Sequence, residues 1–475
     1  MNTESYIVKQ PARKAPTSSG TGTSSGTYLS AVNKKIKNTN ALRVAVLICT
    51  FLLLCSAAFL IYELQPQFEQ LRFDRLKSTW GFMFIVVATG LLVYKLLFFL
   101  YTVVLYFRYK PVQSVTDEAL PACTIIVPAY NEGRLVYDTL MSLIQSDFPQ
   151  EKLQLISIDD GSTDDTWYWM QKAKEVLGDR IAIFQQPKNM GKRHALYRGF
   201  KMGTGEIFVT VDSDSIVKTD TLRNLVSPFV VNEKCGAVAG NVQVLNNKKG
   251  MIPKMLNVSF VMSFEFIRSA ESALGSVLCT PGALSAYRSQ AVFACLNDWI
   301  TQTFKGKPSD IGEDRAMTNM ILKQGYHVLF QRNAYVLTNV PERYKGLYKM
   351  FIRWGRSNVR ENIMMSKFIF HKFREQSRFG TRLLFFNQWL RLIMAYPFVL
   401  LMFIFILTHP LLFFSSTLFS ILIVSSFSVL FYAKRYTMAG SVWAYSYSIM
   451  YTFALFWITP YAIATASRRG WLTRG

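Results

Sequence analysis

Long apolar runs flank a central region in which the apolar runs are short. Residues 41–64 and 80–107 are apolar over more than the roughly 20 residues that a bilayer-crossing helix needs. Apolar runs return at 390–407, 411–433 and 442–466, separated by His409-Pro410 and by Lys434-Arg435. The pattern predicts two transmembrane helices within 41–107 and about three within 383–467. Between them, Cys123–Val127, Leu155–Ile158, Ile181–Phe184 and Ile207–Val211 read as short strands that close on polar or Gly-bearing loops and alternate with helical stretches. That alternation predicts an α/β sheet domain over 115–345, with any ligand at the carboxyl ends of its strands.

Charge then orients the chain. Of 475 residues, 51% are hydrophobic, yet the net charge is +23, so membrane lipid is the first partner expected. Nucleic acid is not expected, because the sequence has no zinc spacing, recognition-helix signature or RNA-binding aromatic motif, and its Lys and Arg cluster beside apolar spans. Lys34, Lys35 and Lys37 precede the first span, with Arg43 at its start, and Arg108 and Lys110 follow the second, which places both flanks and the α/β domain in the cytosol of an integral membrane protein, expected in the plasma (inner) membrane. Residues 1–40, polar and rich in Ser, Thr and Gly, read as a disordered cytosolic tail without a cleavable signal. Five crossings would strand the basic 468–475 tail outside, so five or six spans both remain open, the sixth near Leu383. Six cysteines without a CxxC pair imply neither a disulfide framework nor a zinc site.

Two further features sit near the membrane. Lys95 lies well inside the second span, a costly position unless it snorkels or faces a polar cavity. In 346–380, predicted as interfacial amphipathic helix, Leu347, Met350, Phe351 and Trp354 share one face, and Lys349, Arg353, Arg356 and Arg360 recur on another, as in a lipid-binding stripe.

Candidate chemistry clusters at the strand ends. Asp212-Ser213-Asp214 follows the fourth strand, where two carboxylates can serve a divalent ion, Mg²⁺ or Mn²⁺, and a diphosphate. A turn or helix cap explains an isolated Asp-x-Asp equally well. Asp159-Asp160-Gly161-Ser162 closes the second strand, with acids able to accept hydrogen bonds from a base or ribose, or to form an Asx-turn. Lys192 and Arg193 suit a diphosphate, or a solvated charge run. Glu313-Asp314-Arg315 reads as a helix start, with acids in the first turn complementing the dipole.

The ordered set PAYNE, DDGS, GKR, DSD, TPGALSAYR, GKPSDIGEDRAMTN and RWGRSNVRE, spread over most of 121–365, resembles the family 2 inverting glycosyltransferases, and among them hyaluronan synthases and rhizobial chitooligosaccharide synthases. The closing Trp471-Leu472-Thr473-Arg474 is similar to the WGTR ending of hyaluronan synthases, with Leu472 in place of Gly. The resemblance implies a GT-A type domain joined to transmembrane and interfacial helices, a UDP-sugar donor and a growing polysaccharide as acceptor. It implies that Asp159 and Asp160 hold uridine, that Asp212 and Asp214 serve the metal and diphosphate, and that Asp314, beside Glu313, is the general base. Gly282, Arg315, Arg353, Trp354, Trp471 and Arg474 complete the implied substrate set, Arg353 at the diphosphate and Trp354 beneath the acceptor sugar. Met350 departs from the family motif, which has Gln there. UDP-GlcNAc is the implied donor; UDP-glucuronate as a second donor would give hyaluronan, and its absence a chitin-like product. A non-processive lipid-linked transferase and a degenerate transporter or scaffold are the rivals.

Overall fold

The computed structural model describes residues 40–468. An eight-stranded mixed sheet has the order β3-β2-β1-β4-β7-β6-β10-β5. The first half is parallel: β1 (Cys123–Ala129) pairs with β2 (Leu153–Asp159) on one side and β4 (Ile207–Val211) on the other, and β3 (Ile181–Gln185) extends β2. Such strands are covered on both faces, which is why β1 and β4 are apolar and buried almost throughout. β7 (Leu284–Arg288) runs antiparallel between β4 and β6 (Cys235–Val244), β10 (His327–Thr338) lies parallel to β6, and the short β5 (Ser215–Val217) closes the far edge against β10. A two-residue hairpin, β8 (Thr303–Phe304) with β9 (Lys307–Pro308), stands apart.

Two apolar cores sandwich the sheet. One gathers Val136, Leu140, Leu222 and Leu225 from helices Leu135–Ile144 and Thr221–Val231; the other gathers Leu196, Trp299 and Ile321 from helices Lys192–Met202, Ser289–Ile300 and Glu313–Lys323. The parallel strands β1, β2 and β4 end at Ala129, Asp159 and Val211, so the DDGS and DSD turns emerge on one side of the sheet, together with the start of helix Lys192–Met202.

Outside the sheet, helices Val44–Glu63, Thr79–Arg108 and Pro410–Arg435 are each long and apolar enough to cross a membrane. Two bent pairs pass the same test, Phe379–Ile393 with Ala395–Thr408 at 45° and Met438–Ala454 with Ile458–Ala464 at 48°, so the count among the described residues is three to five. The segment around Leu383, offered as a hidden sixth span, is the first half of the first bent pair. Helix Met251–Phe260 continues through a π-helical segment, Val261–Ile267, into Arg268–Ala273, which packs on Thr79–Arg108.

Helix Tyr344–Ser366 covers the region read as a lipid-facing stripe, and here the structure differs. Arg356 and Arg360 are 3% and 2% exposed. Arg360 donates to the carbonyls of Ala466 (2.6 Å) and Arg468 (2.7 Å), and Arg356 to Thr465 Oγ1 (3.0 Å). These cations hold the chain after Ile458–Ala464 rather than a lipid headgroup, because unpaired backbone carbonyls there need donors.

Candidate active site

The site is built on turns that the strand ends present. Asp160 braces the turn before helix Lys192–Met202: its carboxylate accepts from Gln186 Nε2 (2.9 Å), Met190 N (2.9 Å) and Gly191 N (2.8 Å). Asp159, fully buried, accepts from Ser162 N (3.1 Å), Ser162 Oγ (2.5 Å) and Gln185 Nε2 (2.8 Å). Gly161 has φ 72°, and a Cβ there would stand 2.5 Å from the Lys188 carbonyl carbon, so only glycine lets the two turns approach so closely.

Lys192, first residue of its helix, reaches Asp212 Oδ1 at 2.5 Å and Glu313 Oε1 at 3.3 Å. Burial alone disfavours its charge, but Asp212 and Glu313 outweigh that and push its pKa up. Gly282 makes this possible, since a Cβ there would meet Lys192 Nζ at 2.6 Å. The Gly282 N–H donates to Asp314 Oδ2 (3.2 Å), whose other oxygen accepts from Arg315 N (2.7 Å). Burial and the neighbouring Glu313 push Asp314 up to about 6, against the lowering effect of Lys192. A carboxyl titrating there is poised for proton transfer near neutral pH. Asp214 accepts from Thr338 Oγ1 (3.3 Å), a contact supplied by the pairing of β5 with β10.

A cavity of about 1350 Å³ is lined by Asp160, Lys192, Asp212, Asp214, Glu313 and Asp314. Gly282, Arg315, Arg353 and Trp354 line it as well, and it continues to Lys95 and Tyr101 of helix Thr79–Arg108 and to Tyr447 and Tyr451 of the last bent pair. It exceeds the ~300–1,000 Å³ usual for one small-molecule ligand. Among the described residues no three His, Cys, Asp or Glu side chains converge as a metal cage. The donor set Asp212 and Asp214 still fits a hard divalent ion of the kind that takes one or two carboxylates and fills its shell with substrate phosphate and water.

Asp159 and Arg193 are not among the lining residues. The Asp159 carboxylate is taken up by Ser162 of its own turn and by Gln185 of β3. Arg193, 3% exposed, donates to the Trp299 carbonyl (2.7 Å) and to Gln302 Oε1 (3.0 Å) and lies over the Trp299 ring. Gln302 in turn donates to Glu361, which also accepts from Asn319 (2.9 Å). The expectation of a diphosphate-facing Arg193 is corrected: on a helix, consecutive residues point about 100° apart, so Lys192 faces the cavity and Arg193 faces the core. Trp471 and Arg474 lie outside the described residues.

A family model described as Glycosyltransferase like family 2 matches residues 121–357. Residues 121–357 form a glycosyltransferase family 2 domain. Similar to it are the N-acetylglucosaminyltransferases of Rhizobium meliloti (strain 1021), 32% identical over 253 residues, and of Mesorhizobium japonicum, 31% identical over 252. The matches cover 53% and 52% of this chain and 59% and 58% of those proteins, so the chain spans less than two thirds of the relatives' length. Among solved structures, the mannosyltransferase PcManGT from Pyrobaculum calidifontis, in complex with GDP-Man and Mn²⁺, superposes with a TM-score of 0.50 at 20% identity, covering 79% of this chain and 96% of that one. The fold is GT-A like, and the long apolar helices joined to it are compatible with a membrane protein.

Around the family 2 domain, Glu265 and the side-chain partners of Arg315 and Met350 escaped the sequence reading. Arg315 is tied to Asn358, Asn362 and Gln388, so it joins the helix carrying Asp314 to Tyr344–Ser366 and to Phe379–Ile393. Glu265, wholly buried in the π-helical segment, pairs with Arg435 at 2.5 Å and accepts from Asn241 (3.2 Å). An acid inside the apolar run Val261–Ile267 was the available signal. Met350, at the family's Gln position, is 5% exposed and belongs to the main apolar core. The thioether there fills space, where a Gln amide would need polar partners.

Proposed function

We propose that the protein is a processive, inverting glycosyltransferase that takes a UDP-sugar at the cytosolic face of the plasma (inner) membrane, extends a polysaccharide and passes it across the bilayer. The observation that carries this reading is the continuity of one cavity from the DSD turn, past Asp314, to the apolar helices. UDP-GlcNAc is the donor, in line with the names of the rhizobial relatives; UDP-glucuronate as a second donor makes the product hyaluronan, and its absence makes it chitin-like.

Asp160 and the turns at Tyr130 and Asn189, all lining the cavity, form the uridine end. Asp160 acts there by fixing the turn that its three hydrogen bonds define. Asp212 and Asp214 would hold Mg²⁺ or Mn²⁺, which would supply charge neutralisation to the leaving diphosphate. Lys192 and Arg353 add positive charge to that end, placed where negative charge develops. Asp314 takes the proton of the acceptor hydroxyl as its oxygen attacks the anomeric carbon, and UDP leaves from the opposite face. The Gly282 N–H fixes the carboxylate for this step. Trp354, on the cavity wall, offers its ring to the acceptor sugar.

The test is to incubate purified protein with single UDP-sugars and then with pairs, measuring UDP release and sizing the product. UDP release with a long product supports the reading. UDP release with single-sugar transfer to a lipid acceptor contradicts processivity.

A further inference from the structure

The charged lining of the cavity is segregated by sign. At the donor end five acids, Asp160, Asp212, Asp214, Glu313 and Asp314, outnumber two cations, Lys192 and Arg353. Toward the apolar helices the balance reverses: Lys95, Arg268, Arg315 and Arg391 face Glu271 alone. Among the described residues none of these four cations has a carboxylate within ion-pair distance, and Lys95 and Arg391 lie close enough to repel each other. Lys95, in the middle of an apolar span, gives its hydrogen bond to a neutral group, Asn387 Oδ1, at 2.8 Å. Asn387 and Arg391 are one turn apart on Phe379–Ile393, and Gln388 of the same helix holds Arg315.

We propose that this membrane-side part of the cavity is a subsite for a carboxylate-bearing sugar of the acceptor chain, with Lys95 and Arg391 as its specificity-determining cations. The inference rests on the reading of the cavity as the path of a growing saccharide. An ammonium in an apolar span is costly and marks a substrate pathway when it faces a cavity. Mutually repelling cations with one acid among them gain from an anion, whereas a neutral sugar leaves their repulsion in place. The other lining groups are aromatic, Phe264, Trp354, Tyr447 and Tyr451, whose rings suit the apolar face of a sugar. Cations and ring faces together match a uronate: a ring to stack and a carboxylate to pair.

The experiment uses the full chain in detergent and two primers, a tetrasaccharide alternating glucuronate with N-acetylglucosamine and neutral chitotetraose. Binding of each is measured at low and high salt, alongside UDP release from UDP-GlcNAc. The acidic primer should bind at least ~10-fold tighter, with the advantage shrinking in salt. Lys95→Met combined with Arg391→Met should bring the two affinities within about twofold, and Lys95→Arg, which keeps the charge and serves if the double variant misfolds, should retain the preference. Equal affinities in the wild type, an unchanged ratio in the double variant, or displacement of both primers by a polyprenyl phosphate in a Lys95-dependent way would overturn the proposal. Neutral chain growth from UDP-GlcNAc without acid preference overturns the subsite and leaves the transferase reading standing; no UDP release from any nucleotide sugar overturns that reading itself.

Discussion

Lys192 Nζ lies 2.5 Å from Asp212 Oδ1, so a single ammonium occupies one carboxylate of the DSD turn. Asp212 and Asp214 would hold a divalent ion, whose charge would offset that of the leaving diphosphate, beside Lys192. The DSD turn is therefore expected to be inert without metal. Added Mn²⁺ or Mg²⁺ should be required, EDTA should abolish UDP release, and Asp214→Asn should lower it by at least ~10²-fold, because the amide loses the charge that anchors a hard cation. Full activity in a metal-free assay would remove the metal from the account.

The pH dependence follows from Asp314. A base titrating at about 6 is protonated and idle below that value, so kcat should rise with pH through about 6 and then level. Lys192 lowers the Asp314 pKa, so Lys192→Gln should move this rise to higher pH while also weakening donor binding. A rise that stays in place in Lys192→Gln would mean that the charges are not coupled.

Arg193 separates stability from chemistry. Its bonds to Trp299 and Gln302 anchor a network that reaches Glu361 and Asn319. Arg193→Met should cost roughly 2–3 kcal/mol of stability, read as a lower melting temperature in detergent, with the donor Kd nearly unchanged in the folded fraction. A large loss of donor affinity at unchanged melting temperature would return Arg193 to the binding site.

Trp354 tests the acceptor end. Its side chain is partly exposed to the cavity, with Phe351 and Phe260 beside it at 5.6 and 6.2 Å between ring centroids. Trp354→Ala should shorten the polymer, sized by gel, while sparing donor binding. Polymer of normal length and yield from that variant would leave the ring without a role in the acceptor site.

What the sequence made legible is local. β1 to β4 stood out because short apolar runs ending in Asp and Gly turns carry their own signal, and the same turns exposed Asp160, Asp212 and Asp214. Asp314 could be read as a helix start because acids favour a first turn, and the helix begins at Glu313. The fates of Arg193, Arg356 and Arg360 were hidden, since a cation's direction is decided by partners such as Gln302 and the Ala466 carbonyl, distant in sequence. Lys95 was visible as an anomaly, but its partner Asn387 lies on another helix 292 residues away. The 45° and 48° bends in the two broken spans could not be read from apolar length alone.

The most direct measurement compares donor affinity and turnover in wild type and Asp314→Asn. A general base acts on the acceptor hydroxyl only as the transition state forms, so the variant should keep its UDP-sugar Kd nearly intact and lose at least ~10²-fold in kcat. Equal losses in affinity and turnover, or turnover retained, would contradict the assignment of Asp314 as the base.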